Sequence, residues 1–171
     1  DTAQIVFENC TIPLANRIGD EGDGYKIALS SLEGGRIGIA SQALGISSGA
    51  YELALNYAKE RKAFGKKLSE HQAIQFKLAE MKTELVVGAA FRDSLLRTLL
   101  DGSLDSLTAT TAKLWFSEME YRVADTCLQL HGGYGYMEDS AISRLYTWAR
   151  VETIYGGTSE IQKQNIARSL R

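Results

Sequence analysis

Pro13 is the only proline in a chain of 171 residues. Proline removes a backbone donor and clashes with the preceding helical turn, so its absence from Leu14 to Arg171 leaves long helices free to form. The apolar periodicity uses that freedom. Asp20-Glu-Gly-Asp-Gly24 is a turn that starts a helix near Asp23, followed by Tyr25, Ile27, Ala28, Leu29 and Leu32. Gly34-Gly35 is expected to weaken or kink this helix. From Arg36 to Arg61, the residues Ile39, Ala43, Ile46, Ala50, Leu53, Ala54 and Tyr57 form one stripe at spacings of three and four. Small residues crowd this stretch and permit close approach by a neighbouring backbone. Ser69 to Gln72 has the form of a capping box. It opens a helix to about Leu100 with Ile74, Leu78, Met81, Leu85, Leu95, Leu96 and Leu99 on one stripe. A third long helix is predicted from about Asp105 to Leu130, with Leu107, Leu114, Trp115, Met119, Val123 and Cys127 inward. A short helical piece covers Ser140 to about Thr147. Thr158 or Ser159 then caps a last helix to Leu170, with Ser159-Glu-Ile-Gln162 as a second capping box.

Long helices joined by short loops pack antiparallel, so residues 20–171 are expected to form an all-α, up-and-down four-helix bundle. Residues 1–19 have a different pattern. Ile5-Val6-Phe7 and Cys10-Thr11-Ile12 are short β-type runs, punctuated by Glu8-Asn9 and Pro13. They fit either a strand or an extended arm. Two or three strands make no stable sheet alone, which points to a partner domain upstream. The first residues have neither a basic nor an apolar leader region and have the character of a fragment boundary rather than a signal peptide.

Composition excludes several function classes. Hydrophobic residues at 44% and charged residues at 23% are globular proportions, unlike those of disordered or fibrous chains. A formal net charge of −2 supplies no bulk positive field for nucleic acid. No apolar run reaches the ~20 residues that span a bilayer. Cys10 and Cys127, far apart in sequence, suit a reducing compartment. A di-iron bundle would carry Glu-x-x-His motifs, whereas His71 and His131 follow Leu68 and Leu128 at that spacing, so no metal is expected.

The glycine clusters carry the most information. Gln129-Leu-His-Gly-Gly-Tyr-Gly-Tyr136 ends a long helix, Ile154-Tyr-Gly-Gly-Thr-Ser-Glu160 opens one, and Arg61-Lys-Ala-Phe-Gly65 ends another with two cations. Each is individually consistent with an ordinary cap, turn or dipole-complementing charge. Together they suggest a large phosphorylated ligand held at helix ends, where glycine admits close approach and free N–H groups accept an anion.

Arg61-Lys-Ala-Phe-Gly65, Glu70-His-Gln-Ala-Ile74, Gln129-Leu-His-Gly-Gly133 and Ile154-Tyr-Gly-Gly-Thr-Ser-Glu-Ile161 together resemble the C-terminal all-helical domain of acyl-CoA dehydrogenases. Phe7-Glu-Asn-Cys-Thr-Ile-Pro13 resembles the last strand of their middle β-domain, so residues 1–19 would end that domain and 20–171 would be the helical bundle. The resemblance implies FAD as cofactor, an acyl-CoA substrate and hydride transfer to flavin. It also implies a homotetramer that passes electrons to an electron-transfer flavoprotein, in a mitochondrial matrix or a bacterial cytoplasm. It assigns Arg61 to the FAD pyrophosphate of a neighbouring subunit, Phe64 and Gln72 to the same cofactor region, and Gln129, Gly132 and Gly133 to the adenosine diphosphate portion. Thr158 and Glu160 would touch FAD in their own subunit. Arg36 would lie near the acyl-CoA, with the Gly157 amide beside the thioester.

One departure stands out. The two positions where the family places its catalytic Glu are Gly156, before the Gly-Thr-Ser of the last motif, and Gly35, before Arg36. The nearest acid is Glu33, about 200° around an ideal helix from Gly35. Glu33 is the candidate base. The alternatives are a non-catalytic binding or assembly homologue lacking a base, or another flavin reaction on the same scaffold.

Overall fold

A computed structural model describes residues 3–171. Helix α1 (Gly24–Glu60) leads into a two-stranded hairpin, β1 (Lys62–Ala63) and β2 (Lys66–Lys67). The long helices α2 (Gln72–Leu100) and α3 (Ser106–His131) follow. A single turn, α4 (Gly133–Tyr136), precedes α5 (Ala141–Glu152) and α6 (Ser159–Ser169). Helix α3 is the hub: it packs mainly on α1 and also meets α5, α6 and α2. The all-α bundle expected from the sequence is the architecture observed.

Packing explains why α3 sits in the centre. Ala40, Ala43, Ala50, Ala54 and Ala58 of α1 are fully buried, as are Ala109, Ala112 and Phe116 of α3. Alanine faces let the two helix axes approach closely. Phe116 stacks on Phe91 with ring centroids 5.7 Å apart and meets Trp115 edge-on at 4.9 Å. Gly88 admits this cluster: a Cβ there would lie 3.3 Å from Leu44, Trp115 and Phe116.

Several local expectations need correction. Helix α1 runs unbroken through Gly34 and Gly35. Glycine costs a helix roughly 1 kcal/mol but does not forbid it, and a Cβ at either position would meet nothing within 4 Å. The buried face of α1 includes Ile37, Ala40, Leu44 and Ser47, while Leu53 of the anticipated stripe is exposed. Leu96, Leu99 and Leu107, also expected inside, are exposed as well. Ser69 does not cap α2: it lies in a 3-10 turn (Leu68–Glu70), and His71 occupies the N-cap. Thr158 caps α6, its hydroxyl accepting from the Ile161 amide, so Ser159 is inside the helix. Helix α5 extends past Thr147 to Glu152.

The hairpin was not anticipated. Its two-residue loop, Phe64-Gly65, has positive φ at both positions (53° and 82°), the requirement of a type I′ turn. Residues 3–19 pair with no strand. They form no regular element apart from a 3-10 turn at Leu14–Asn16 and bend at Glu8–Asn9, where Asn9 has φ 47°, and Ile5, Phe7, Ile12 and Leu14 are exposed.

Candidate functional site

The first cleft forms where α1 and α3 end. Arg61 is the C-cap of α1, and Gly132, at φ +60°, is the C-cap of α3. Arg61, Gln129, Gly132 and Gly133 line a cleft of about 400 Å³ with Tyr57 and His131. The Arg61 guanidinium has no ion-pair partner among the described residues. His131 stacks on Tyr57 with centroids 4.5 Å apart, and its Nδ1 lies 2.7 Å from the Cys127 carbonyl. A carbonyl only accepts, so that nitrogen carries the proton. A Cβ on Gly132 or Gly133 would meet nothing within 4 Å. The glycines therefore leave open space at a helix end with a cation beside it, which suits a phosphorylated ligand.

Phe64 and Gln72 lie nearby but outside this cleft. Phe64 is 97% exposed at the hairpin tip. His71 braces the hairpin, its Nε2 donating to the Ala63 carbonyl at 3.1 Å, and Phe64 meets the His71 ring edge-on. Gln72 begins α2 beside it. An aromatic at positive φ in open solvent is costly unless the tip is covered.

Thr158 and Glu160 line a second cleft of about 500 Å³ with Tyr121, Arg150 and Lys163. Its own backbone amide at the α6 start, then the Thr158 hydroxyl, hold the Glu160 carboxyl below its usual range. Glu33 and Arg36 line a third cleft of about 650 Å³ with Tyr25, Leu29 and Thr110. Because α1 is continuous, Glu33 lies one turn before Arg36 on the same side and away from Gly35. Arg36 donates to Thr110 Oγ1 at 3.1 Å, while its buried Nε has no partner.

The third cleft adjoins the Gly156-Gly157 turn through α3. Lys113, one turn beyond Thr110, donates from Nζ to the Gly157 carbonyl at 2.8 Å. Gln162 Nε2 donates to the carbonyls of Gly156 and Gly157, each at 3.1 Å. Both glycines have positive φ (64° and 98°). Behind them lie Glu120 and Glu152, both fully buried. Burial and the facing carboxyl push Glu120 up, and burial raises Glu152 as well. Burial lowers Lys113, opposed by the charge of Glu152. The sequence reading missed these four polar residues. Gln162 was hidden inside a supposed capping box. Lys113 and Glu120 are seven residues apart on the inward face of α3, and charged groups at core spacing were the available signal.

One sequence pattern is deceptive. Gly45-Ile-Ser-Ser-Gly49 matches the G-x-S-x-G of hydrolytic serines. It lies inside α1, not on a strand-to-helix elbow, and the buried Ser47 hydroxyl donates to the Ala43 carbonyl of its own helix.

This architecture is a helical bundle whose helix ends frame three clefts, and known proteins share it. The family model described as "Acyl-CoA dehydrogenase, C-terminal domain" matches residues 22–171. The mitochondrial long-chain specific acyl-CoA dehydrogenase of Sus scrofa is 44% identical over 170 residues, covering 99% of this chain and 40% of that protein. An acyl-CoA dehydrogenase structure from Geobacillus kaustophilus superposes with a TM-score of 0.92 at 40% identity, covering 96% of this chain and 43% of that one. A glutaryl-CoA dehydrogenase from Mycobacterium smegmatis, in complex with FADH2, gives a TM-score of 0.82 at 30% identity, covering 86% and 38%. The chain belongs to the acyl-CoA dehydrogenase family. It spans about two fifths of the length of these relatives and corresponds to their C-terminal helical domain.

Proposed function

We propose that this chain is the C-terminal helical domain of an FAD-dependent enzyme that dehydrogenates an acyl-CoA thioester between its α and β carbons. Residues 1–19 would be the end of the preceding β-domain. The observation that carries the reading is the convergence of Arg61, Gln129, Gly132 and Gly133 on one cleft. Arg61 presents a planar fork suited to paired phosphate oxygens, and the glycines leave room for a dinucleotide to lie against backbone. Arg61 would serve the cofactor of a neighbouring subunit in a homotetramer, with Phe64 and Gln72 beside it. Thr158 and Glu160 would contact the cofactor of their own subunit.

FAD, when bound, supplies the hydride acceptor. The rest of the chemistry falls to protein groups. Arg36 would hold the CoA thioester in the third cleft, and the Gly157 amide would stabilise negative charge developing on its carbonyl oxygen. Removal of the α-proton requires a carboxylate, and Glu33 beside Arg36 is the candidate in this chain. Electrons would pass to an electron-transfer flavoprotein. The relatives include mitochondrial and bacterial proteins, and no helix among the described residues is long and apolar enough to cross a membrane. A mitochondrial matrix or a bacterial cytoplasm is the proposed setting.

The test uses the full-length protein. It should be yellow and should bleach anaerobically with an acyl-CoA, and Glu33→Gln should abolish bleaching while CoA-ligand binding persists. Normal turnover by Glu33→Gln would remove Glu33 as base. Glycine at both usual base positions, Gly35 and Gly156, favours a second reading, a non-catalytic homologue. That reading predicts binding of FAD and CoA thioester without bleaching. Half of the flavin pocket lies outside this chain, so the isolated 171 residues should be inactive and should not retain FAD.

A further inference from the structure

Helix α5 is seated on its neighbours by few buried groups. Of its twelve residues, Ile142, Ala149 and Glu152 are buried, while Trp148 and Val151 are exposed. Glycines at positive φ bracket it: Gly132 at +60° lies ahead of α4, and Gly156 at +64° and Gly157 at +98° follow α5. A short helix with little buried apolar surface belongs to the low-stability end of a fold. Element-terminal residues of this kind absorb the dihedral change when such a helix moves.

The buried carboxyl at the end of α5 makes its seating depend on a proton. Glu152 faces Glu120 of α3, and none of their four oxygens has another donor at hydrogen-bond distance. Two buried carboxyls side by side cannot both ionise. Lys113 of α3, Gln42 of α1 and Tyr155 beyond α5 approach Glu152, which makes it the ionised member, and Glu120 keeps the proton. The bond between them is then of the short O–H···O⁻ type. Lys113 also faces Arg36 from α1, Glu118 on its own helix and Glu160 from α6. At the other polar contact between α5 and α3, the Tyr146 and Tyr121 hydroxyls lie 3.0 Å apart, with Asp125 and Arg150 beside them. Burial pushes the Tyr155 hydroxyl up to about 12, and the bond to Tyr121 raises Tyr146 as well, so both keep their protons at neutral pH.

We propose that α5 is a proton-held latch: the proton shared by Glu120 and Glu152 closes it on α3, and removal of that proton by base swings it free between Gly132 and Gly156. The latch bears on two of the clefts. Gly132, Gly133 and Met137 ahead of α5 line the first, and Arg150, Thr153 and Ile154 at its end line the second. Release of α5 therefore withdraws a wall from each. The latch needs no bound ligand, so it stands apart from the acyl-CoA reading.

Amide hydrogen exchange of the 171-residue chain at pH 6, 7 and 8 tests it, each rate being divided by the base-catalysed rate of an unstructured amide to give an opening constant. The closed state holds one proton that the open state has released, so the opening constant of α5 should rise about tenfold per pH unit. It should also exceed that of α3 at each pH. Glu120→Gln sets a neutral amide against Glu152, and Glu120→Gln/Glu152→Gln removes both acids; in either variant the opening of α5 should not change with pH. A flat opening constant in the wild type would overturn the proposal. So would a slope that persists in a variant, as titration of Lys113 would produce. So would α5 amides that open only together with those of α3, a comparison the wild type decides even where a variant fails to fold.

Discussion

The carboxyl pair makes the stability of this chain depend on pH in an unusual direction. An ordinary surface glutamate is ionised in both the folded and unfolded states at neutral pH and contributes no slope. Glu120 is fully buried against Glu152, and desolvation with the facing carboxyl pushes it up from 4.5 to about 10. Between those values the folded chain binds one proton that the unfolded chain has released. A folded-state value above the unfolded one means that stability is complete below the unfolded value and falls as pH rises toward the folded one. One extra native proton gives a loss of about 1.4 kcal/mol per pH unit, or roughly 3 kcal/mol between pH 6 and pH 8. Cys127 and Tyr155, each pushed up to about 12 by burial, start from values of 9.0 and 10.0 and so lie outside that window. Glu120→Gln replaces the protonated partner with a neutral amide of similar shape and should flatten the slope. Urea unfolding of the 171-residue chain at pH 6, 7 and 8 measures this directly. The variant should be the more stable protein at pH 8, with its advantage shrinking toward pH 5. Parallel slopes for wild type and variant would show that the pair holds no such proton in the folded chain and would refute the reasoning.

Three further outcomes follow from packing and capping. Gly135→Ala places a Cβ 2.6 Å from the Leu128 carbonyl oxygen and 3.0 Å from His131 Cβ; backbone cannot yield as a side-chain tip can, so thermal unfolding should show a loss of about 1–3 kcal/mol. Phe116→Ala removes a fully buried ring that touches Phe91 and Trp115 and should cost about 3–5 kcal/mol in urea unfolding. Asp105 caps α3 by accepting the Thr108 amide at 2.8 Å, and Asp105→Ala should cost about 1 kcal/mol. The bonds to Thr108 hold the Asp105 carboxyl below its usual value, so the capping contribution is present above the ordinary aspartate range and disappears as acid protonates it. Wild type and Asp105→Ala should therefore draw together in stability as pH falls below the ordinary aspartate range.

The reach of sequence reasoning differs between backbone and site. Helix existence was legible because α1, α2 and α3 lack proline and carry apolar residues at helical spacing. Their exact faces were less so. Ile37, Ala40 and Leu44 are buried while Leu53 is exposed, because an alanine-rich helix can rotate by one position without breaking its apolar pattern. The helix ends that carry Arg61, Gln129, Gly132 and Gly133 were legible from their glycines and basic residues, whereas their meeting in one cleft was implied only by the family resemblance. The hairpin was not: Phe64-Gly65 lacks the Asn-Gly signature of a type I′ turn, and its geometry is enforced from outside by His71 on the Ala63 carbonyl.

The deepest omission was Glu152. It follows eleven residues of a short amphipathic helix in which charge ordinarily faces solvent, and nothing local distinguishes it from the exposed Arg150 two residues earlier. Only the tertiary placement of α5 against α3 brings it to Glu120. Lys113 then acquires a partner that no motif spacing encodes. A contact of this kind is invisible to motif reading for a physical reason: the motif contains the glycines of the turn, while Lys113, which bonds the Gly157 carbonyl, arrives from α3, 44 residues earlier. Fold and ligand cradle can therefore be inferred from local signals, but the electrostatic support of the turn follows from assembled helix packing alone.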